Sequence, residues 1–285
     1  MLAQILEAHG GRLPEGCHVV FANTGREMPE TLTFVHEVSL RWGVPIRWLE
    51  WRPTPQGEER EAWLAQRKEA ALAKRWPSEA GKRLVDANWA EVDHASAARE
   101  GEPFGGMITE RQYLPNPTQR LCTLYLKVLP MHAFAAFHLG LEEWTSAVGI
   151  RYDERRRWKM LDPDERSPWE NKTGPLIPAR ITKADVMAFW KRQPFDLGLE
   201  PHESNCDGCF MKGWRIRDHI FRDHPERLQW WVDQEEKIGA RFRPTGPSYA
   251  QLQERIRRLP LLPGIEQALP EGDDDDSLVE CNCHD

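Results

Sequence analysis

Cysteine is scarce: six residues in 285, too few to staple a chain of this size as a disulfide scaffold. Long apolar runs are missing too. No stretch approaches the ~18 uninterrupted apolar residues of a membrane helix. Residues 1–9 are apolar on one face and lack the basic n-region and small-residue cleavage site of a signal peptide. Nor is positive charge in excess. The 38 Lys+Arg against 45 Asp+Glu give a net charge of −7, which argues against coating nucleic acid by bulk charge while leaving room for a local basic groove. These absences together lead us to expect a cytoplasmic protein in a reducing compartment, with no membrane partner.

What is present suffices for a core: 40% hydrophobic and 29% charged residues exclude a disordered chain. The length admits one large α/β domain with appendages or two compact domains. The apolar run 17–22 meets Asn23-Thr24-Gly25 and reads as a buried strand ending in a turn, with Cys17 in the core. Leu32, Val35, Val38 and Leu40 give helical periodicity from Pro29 to a stop at Gly43, and 45–51 is the next strand. Strand, helix and strand make one βαβ unit, so a parallel sheet flanked by helices is expected. Further along, a charged helix is expected over 58–74, and 83–106 shows no period. A helix over 122–139 carries Pro130 and should kink there. A strand over 144–150, a helix N-capped by Thr182 with Asp185, and helices over 214–220, 228–238 and 249–258 follow. Residues 271–277 form an acidic linker before a cysteine-rich tail. Among the thirteen tryptophans, Trp42, Trp48, Trp51, Trp144, Trp190 and Trp214 read as packing residues, and Trp230-Trp231 as the pair best placed for an interface. His219 and His224 flank a charged helix and read as surface residues.

Three segments carry chemistry. Asn23-Thr24-Gly25-Arg26-Glu27 stands at the C-terminal end of an expected parallel strand, the edge where open α/β sheets bind ligands. On spacing alone it is also a plain turn in which Thr24 or Glu27 caps the following helix. Cys206-Asp-Gly-Cys209 can put two thiols on one metal or iron–sulfur cluster, or form a redox dithiol. Cys122 and the tail Cys281-Asn-Cys283-His284 could complete such a site, although Cys122 alone also reads as a core thiol. Arg151, with Asp153 and Glu154 to orient it, suits bidentate capture of phosphate or sulfate.

Five segments occur in a fixed order: Phe21-Ala-Asn-Thr-Gly-Arg-Glu-Met-Pro-Glu-Thr31; Arg120-Leu-Cys-Thr…Lys127…Pro130; Gly149-Ile-Arg-Tyr-Asp-Glu154; Pro175-Leu-Ile…Thr182-Lys-Ala-Asp-Val186; and Asn205-Cys-Asp-Gly-Cys-Phe210. The set resembles the phosphoadenosine-phosphosulfate (PAPS) reductase family, and more closely its divergent bacterial and phage-type members among the PP-loop (N-type) ATP pyrophosphatases. The resemblance runs over about residues 1 to 215. It implies an adenine-nucleotide α-hydrolase-like (Rossmann-like) parallel sheet in a nucleotide-binding domain over 1–195. A mostly helical CxxC-containing extension over 196–270 and the tail 271–285 would follow.

The resemblance also implies contact with ATP or a related adenine nucleotide through Asn23, Thr24, Gly25, Arg151 and Asp153. A [4Fe-4S] cluster is implied on Cys122, Cys206 and Cys209, with Cys281, Cys283, His284 or an exogenous group as fourth ligand; Cys283 is the tail residue chosen. Sulfur transfer, sulfonucleotide reduction or ATP-dependent adenylation would be the activity, with an electron donor, and nucleic acid is a further candidate substrate. There are two departures. The family's opening strand and Ser-Gly-Gly-x-x-Ser phosphate loop have no counterpart here, so the true start is expected upstream, or the chain is a decayed paralogue. The attacking-thiol tail of PAPS reductases is also absent. The rival expectation is a non-catalytic module in which Zn²⁺ on the cysteines staples a domain that recruits nucleic acid or a protein.

Overall fold

The computed structural model describes residues 1–73, 84–158 and 167–258. The acidic linker and the tail with Cys281, Cys283 and His284 lie outside the described residues. The chain is a mixed α/β protein with small sheets. In the first, β1 (Val19–Asn23) runs parallel to β2 (Ile46–Trp51), and β3 (Trp89–Val92) lies antiparallel on the other side of β2. The expected parallel pair is present, but the sheet as described is mixed. A second sheet pairs β4 (Trp144–Ala147) with β5 (Glu170–Thr173) in parallel.

After α1 (Leu2–Ala8), the β1–β2 crossover is α2 (Pro29–Trp42). Pro29 sits at its first position, where the missing N–H is no loss, and Gly43 closes it in the left-handed conformation. Leu32 and Val38 turn inward, with Leu32 packing on Trp48 and Ala97. The unperiodic stretch 83–106 supplies β3 and the start of α4 (Glu102–Arg111), after the charged α3 (Gly57–Ala73).

The helix α5 (121–138) runs through Pro130 without breaking. Five-residue π-helical segments, Leu124–Val128 and Phe134–His138, flank the turn Leu129–Ala133 that holds the proline. A π turn shifts the backbone pairing by one residue, which accommodates the donor that proline lacks. The expected kink is therefore a local over-widening. Through Leu129 and Ala133 this helix packs with Trp144 of the second sheet and with Trp169 just before β5, and the cluster also reaches Leu84 and Ala87 beside the first.

After α6 (Lys183–Trp190), whose Thr182–Asp185 capping box forms as expected, the described residues continue into α7 (Trp214–Asp223), α8 (Leu228–Ile238) and α9 (Tyr249–Arg258). These helices share one core with the earlier part. Trp51, Phe104, Met107 and Leu126 pack in one cluster with Phe221, Trp231, Phe242 and Tyr249. That core crosses the sequence division at 195. Trp48 and Trp51 are buried and Trp42, Trp144, Trp190 and Trp214 half-buried, as expected of packing residues, whereas Cys17 is exposed rather than in the core. Cys17 lies two residues before β1 begins, outside the alternation that would turn it inward. Among the described residues, no helix is long and apolar enough to cross a membrane.

Candidate functional site

The site grows from the end of β1. Register places Asn23 opposite Glu50, so their side chains meet across the sheet: Asn23 Nδ2 donates to Glu50 Oε1 at 2.7 Å and to the Ala98 carbonyl at 2.9 Å. Its Oδ1 accepts the Gly25 N–H at 3.1 Å, which tightens the turn. Thr24 then closes on Glu27, donating both its N–H and its hydroxyl to the carboxylate at 2.9 Å. Neither residue caps α2, whose capping position is Met28. Gly25 sits at φ +79°, and a Cβ there would lie 2.9 Å from Pro103 and 3.2 Å from the Gly101 backbone, so only glycine fits. Asn23, Thr24 and Gly25 are thus all buried, with the side chains of the first two spent on protein partners.

This loop is bonded to the cysteine loop. Residues 27 and 206 form an antiparallel bridge. The Met28 N–H donates to the Asn205 carbonyl at 2.7 Å, and the Asp207 N–H donates to the Arg26 carbonyl at 3.1 Å. Two motifs about 180 residues apart therefore form one short ribbon.

Asp207 is the hub beneath it. Its Oδ2 accepts from Arg26 and Arg227, and its Oδ1 accepts the Trp231 indole N–H at 2.9 Å. Arg227 also donates to the Glu27 carbonyl and Arg26 to the Arg227 carbonyl, both at 3.0 Å. Burial raises the Asp207 carboxyl above the usual carboxylate range against the pull of both guanidiniums and the indole. Three donors aimed at its two oxygens keep it the anion that this geometry requires. Burial likewise raises Glu27, opposed by Lys127 at 3.8 Å and by its bonds from Thr24.

Two of the thiols lie against the same core. Cys209 is buried, and Cys122 on α5 and Cys206 are half-buried against the cluster that holds Phe210, Trp231 and Tyr249. No disulfide joins them. Arg151 and Asp153 lie elsewhere, just after β4 in the second sheet. Arg151 Nε is 3.2 Å from Asp153 and 3.4 Å from Glu154, and the Lys183 N–H donates to the other Asp153 oxygen at 3.2 Å. The two carboxylates orient the guanidinium as expected.

One cluster was not foreseen. His202 Nε2 lies 3.1 Å from Asp223 Oδ2, and His219 Nε2 lies 4.0 Å from the same oxygen. His219 and Asp223 stand four residues apart on α7, a spacing that puts them on one face and was readable in the sequence. His202, seventeen positions before His219, carried no such signal. His224 is a partner rather than a free surface residue, with its Nε2 2.7 Å from Glu203 Oε1.

Comparison with known proteins adds one relative. The "uncharacterized nin region protein ORF290" of Escherichia phage lambda is 28% identical over 204 residues, covering 70% of this chain and 58% of that protein. The chain thus spans less than two thirds of that relative's length. No family model matches the chain, and no solved structure matches it.

Proposed function

We propose that this chain is a PAPS reductase-like protein of the PP-loop superfamily, with an adenine-nucleotide α-hydrolase-like domain that binds ATP or a related nucleotide and acts in sulfur chemistry. The single observation that carries the reading is the main-chain ribbon between 26–28 and 205–207. It sets the strand-end loop beside the CxxC, which supports reading the two as one site of a nucleotide enzyme with a cysteine-bound centre.

The donor set suits an iron–sulfur cluster. Cys122 and Cys206, outside any disulfide, border an apolar cluster with Tyr125, Phe210, Met211 and Trp214, and Cys209 is itself buried, the soft, largely dry setting that such clusters use. Cys122, Cys206 and Cys209 would hold it, with Cys283 or an exogenous group as fourth ligand, and the cluster would supply one-electron transfer to a bound substrate. The chain's own residues divide the remaining work. Asn23, Thr24 and Gly25, being buried, shape the wall of the site, and Lys127, 3.8 Å from Glu27, offers a cationic group beside it for phosphate or sulfate. An electron donor is the expected partner.

Anaerobic purification of the full chain tests this. The expected result is broad visible absorption with stoichiometric iron and sulfide, both lost in Cys206→Ser, and saturable binding of ATP or a sulfonucleotide. A colourless protein that carries zinc on the thiols and binds no nucleotide would overturn the reading in favour of a zinc-stapled recruiting module.

A further inference from the structure

A second inorganic site lies outside the thiols. Among the described residues, one set of His, Cys, Asp and Glu side chains brings three ligand atoms within 4.8 Å of one another: His202, His219 and Asp223. We propose that these three residues bind a divalent transition-metal ion of the zinc and cobalt class, and so clamp the segment leading into the CxxC onto α7.

The geometry argues for this. A Zn–N or Zn–O bond of about 2.0–2.2 Å sets neighbouring ligand atoms about 3.3–3.6 Å apart in a tetrahedron. The two separations from Asp223 Oδ2, 3.1 Å and 4.0 Å, bracket that spacing. Both imidazoles present Nε2, and their rings meet edge-on with centroids 4.3 Å apart. Two imidazoles and one carboxylate are an N₂O set that suits zinc, cobalt or nickel, not the all-oxygen shell of calcium or magnesium.

The three ligands are held from behind. His219 and Asp223 ride on a regular helix. His202 is 6% exposed, and its carbonyl accepts from the buried Lys212 Nζ at 2.6 Å. Lys212 also takes the Glu203 carbonyl at 3.1 Å, closing the loop that contains both Cys206 and Cys209. The neighbouring Glu203–His224 bond ties the same segment to the end of α7. A site built this way loses little entropy when the ion enters.

Its open side faces solvent through Asp223, whose side chain is 46% exposed, leaving room for the water that completes a three-ligand zinc site.

This proposal does not rest on the thiol reading, and one titration separates the two. The full chain, stripped with chelator and dialysed, is titrated with Co²⁺ under absorption and calorimetry, alongside the triple variant Cys122→Ser/Cys206→Ser/Cys209→Ser. One equivalent should bind in both proteins. In the serine variant it should show only weak d–d bands, without the intense near-ultraviolet band of a cobalt–thiolate bond. His219→Gln and Asp223→Asn, changed at partly exposed positions and checked by their melting curves, should each lower the Co²⁺ affinity at least about tenfold. If the triple variant does not fold, the parent chain still decides, since cobalt bound without a thiolate band and lost in His219→Gln is at this site. Unchanged affinity in His219→Gln and Asp223→Asn, or no bound equivalent beyond that on thiolate, would overturn the proposal.

Discussion

Two charged clusters hold the cysteine loop, one from inside and one from outside, and they use aspartate in opposite ways. Asp207 is fully buried, and every oxygen it offers is taken by Arg26, Arg227 or Trp231. Asp223 faces solvent and shares a single oxygen with two imidazoles. The first cluster has no coordination to spare, so it can only brace. The second keeps capacity for something else. Burial, not residue type, assigns the roles: in the interior an unmatched charge is intolerable, so all partners are supplied by protein, whereas at the surface water fills the gaps until a ligand does.

The sharpest way to break this comparison is to delete each aspartate. Asp207→Ala leaves two guanidiniums, one of them fully buried, without their anion and should lower unfolding free energy by about 3–5 kcal/mol. Asp223→Ala removes an exposed partner and should change it by about 0–1 kcal/mol without added metal. Urea denaturation of both variants checks the pair. Equal losses would show that the two clusters brace alike.

A smaller loss is expected from Gly208→Ala. The space a Cβ would take at residue 208 is filled by the Trp231 indole and Phe221. The variant must push aside the ring that donates to Asp207, which overpacking of this kind makes unfavourable by about 1–3 kcal/mol. Near-ultraviolet circular dichroism of the tryptophans, read with the denaturation midpoint, locates the damage. A stability loss with an unaltered tryptophan signal would place the strain away from the hub.

Much of the frame was legible in the sequence, and the reason is local. The helix Pro29–Trp42 carries its own start and stop, proline at one end and glycine at the other, and Leu228–Ile238 and Tyr249–Arg258 show clear periodicity. Within 83–106 the periodic signal fails for physical cause. Trp89–Val92 is a four-residue edge strand, and Glu102–Arg111 contains Gly105-Gly106 against the rings of Trp230 and Trp51, so a helix forms there by packing rather than by propensity. The site was legible only in pieces. Asn23-Thr24-Gly25 and the CxxC could each be found, but their main-chain pairing across the chain, and the buried Arg26–Asp207 bond beneath it, leave no trace in local pattern. Sequence also treated His219 as surface, because its partner His202 comes from a distant loop.

The finest test of the contrast is pH. The folded-state basicity of His202 is depressed, first by burial and then by His219. Above the ordinary histidine value near 6.5, both folded and unfolded chains carry it neutral, and its contribution is constant. As pH falls below that value the unfolded chain takes up the proton first, so stability declines towards the depressed folded value. The part of the slope due to His202 does not exceed that of one proton. His219→Gln removes one like charge facing His202, leaving Asp223 and Glu203, and should flatten that decline, whereas Gly208→Ala should lower stability equally at every pH. Denaturation midpoints between pH 7.5 and 5.5 make the measurement, on protein freed of metal. A decline that is undiminished in His219→Gln would mean that the outer cluster does not govern this titration, and that the difference between brace and open site is one of exposure alone.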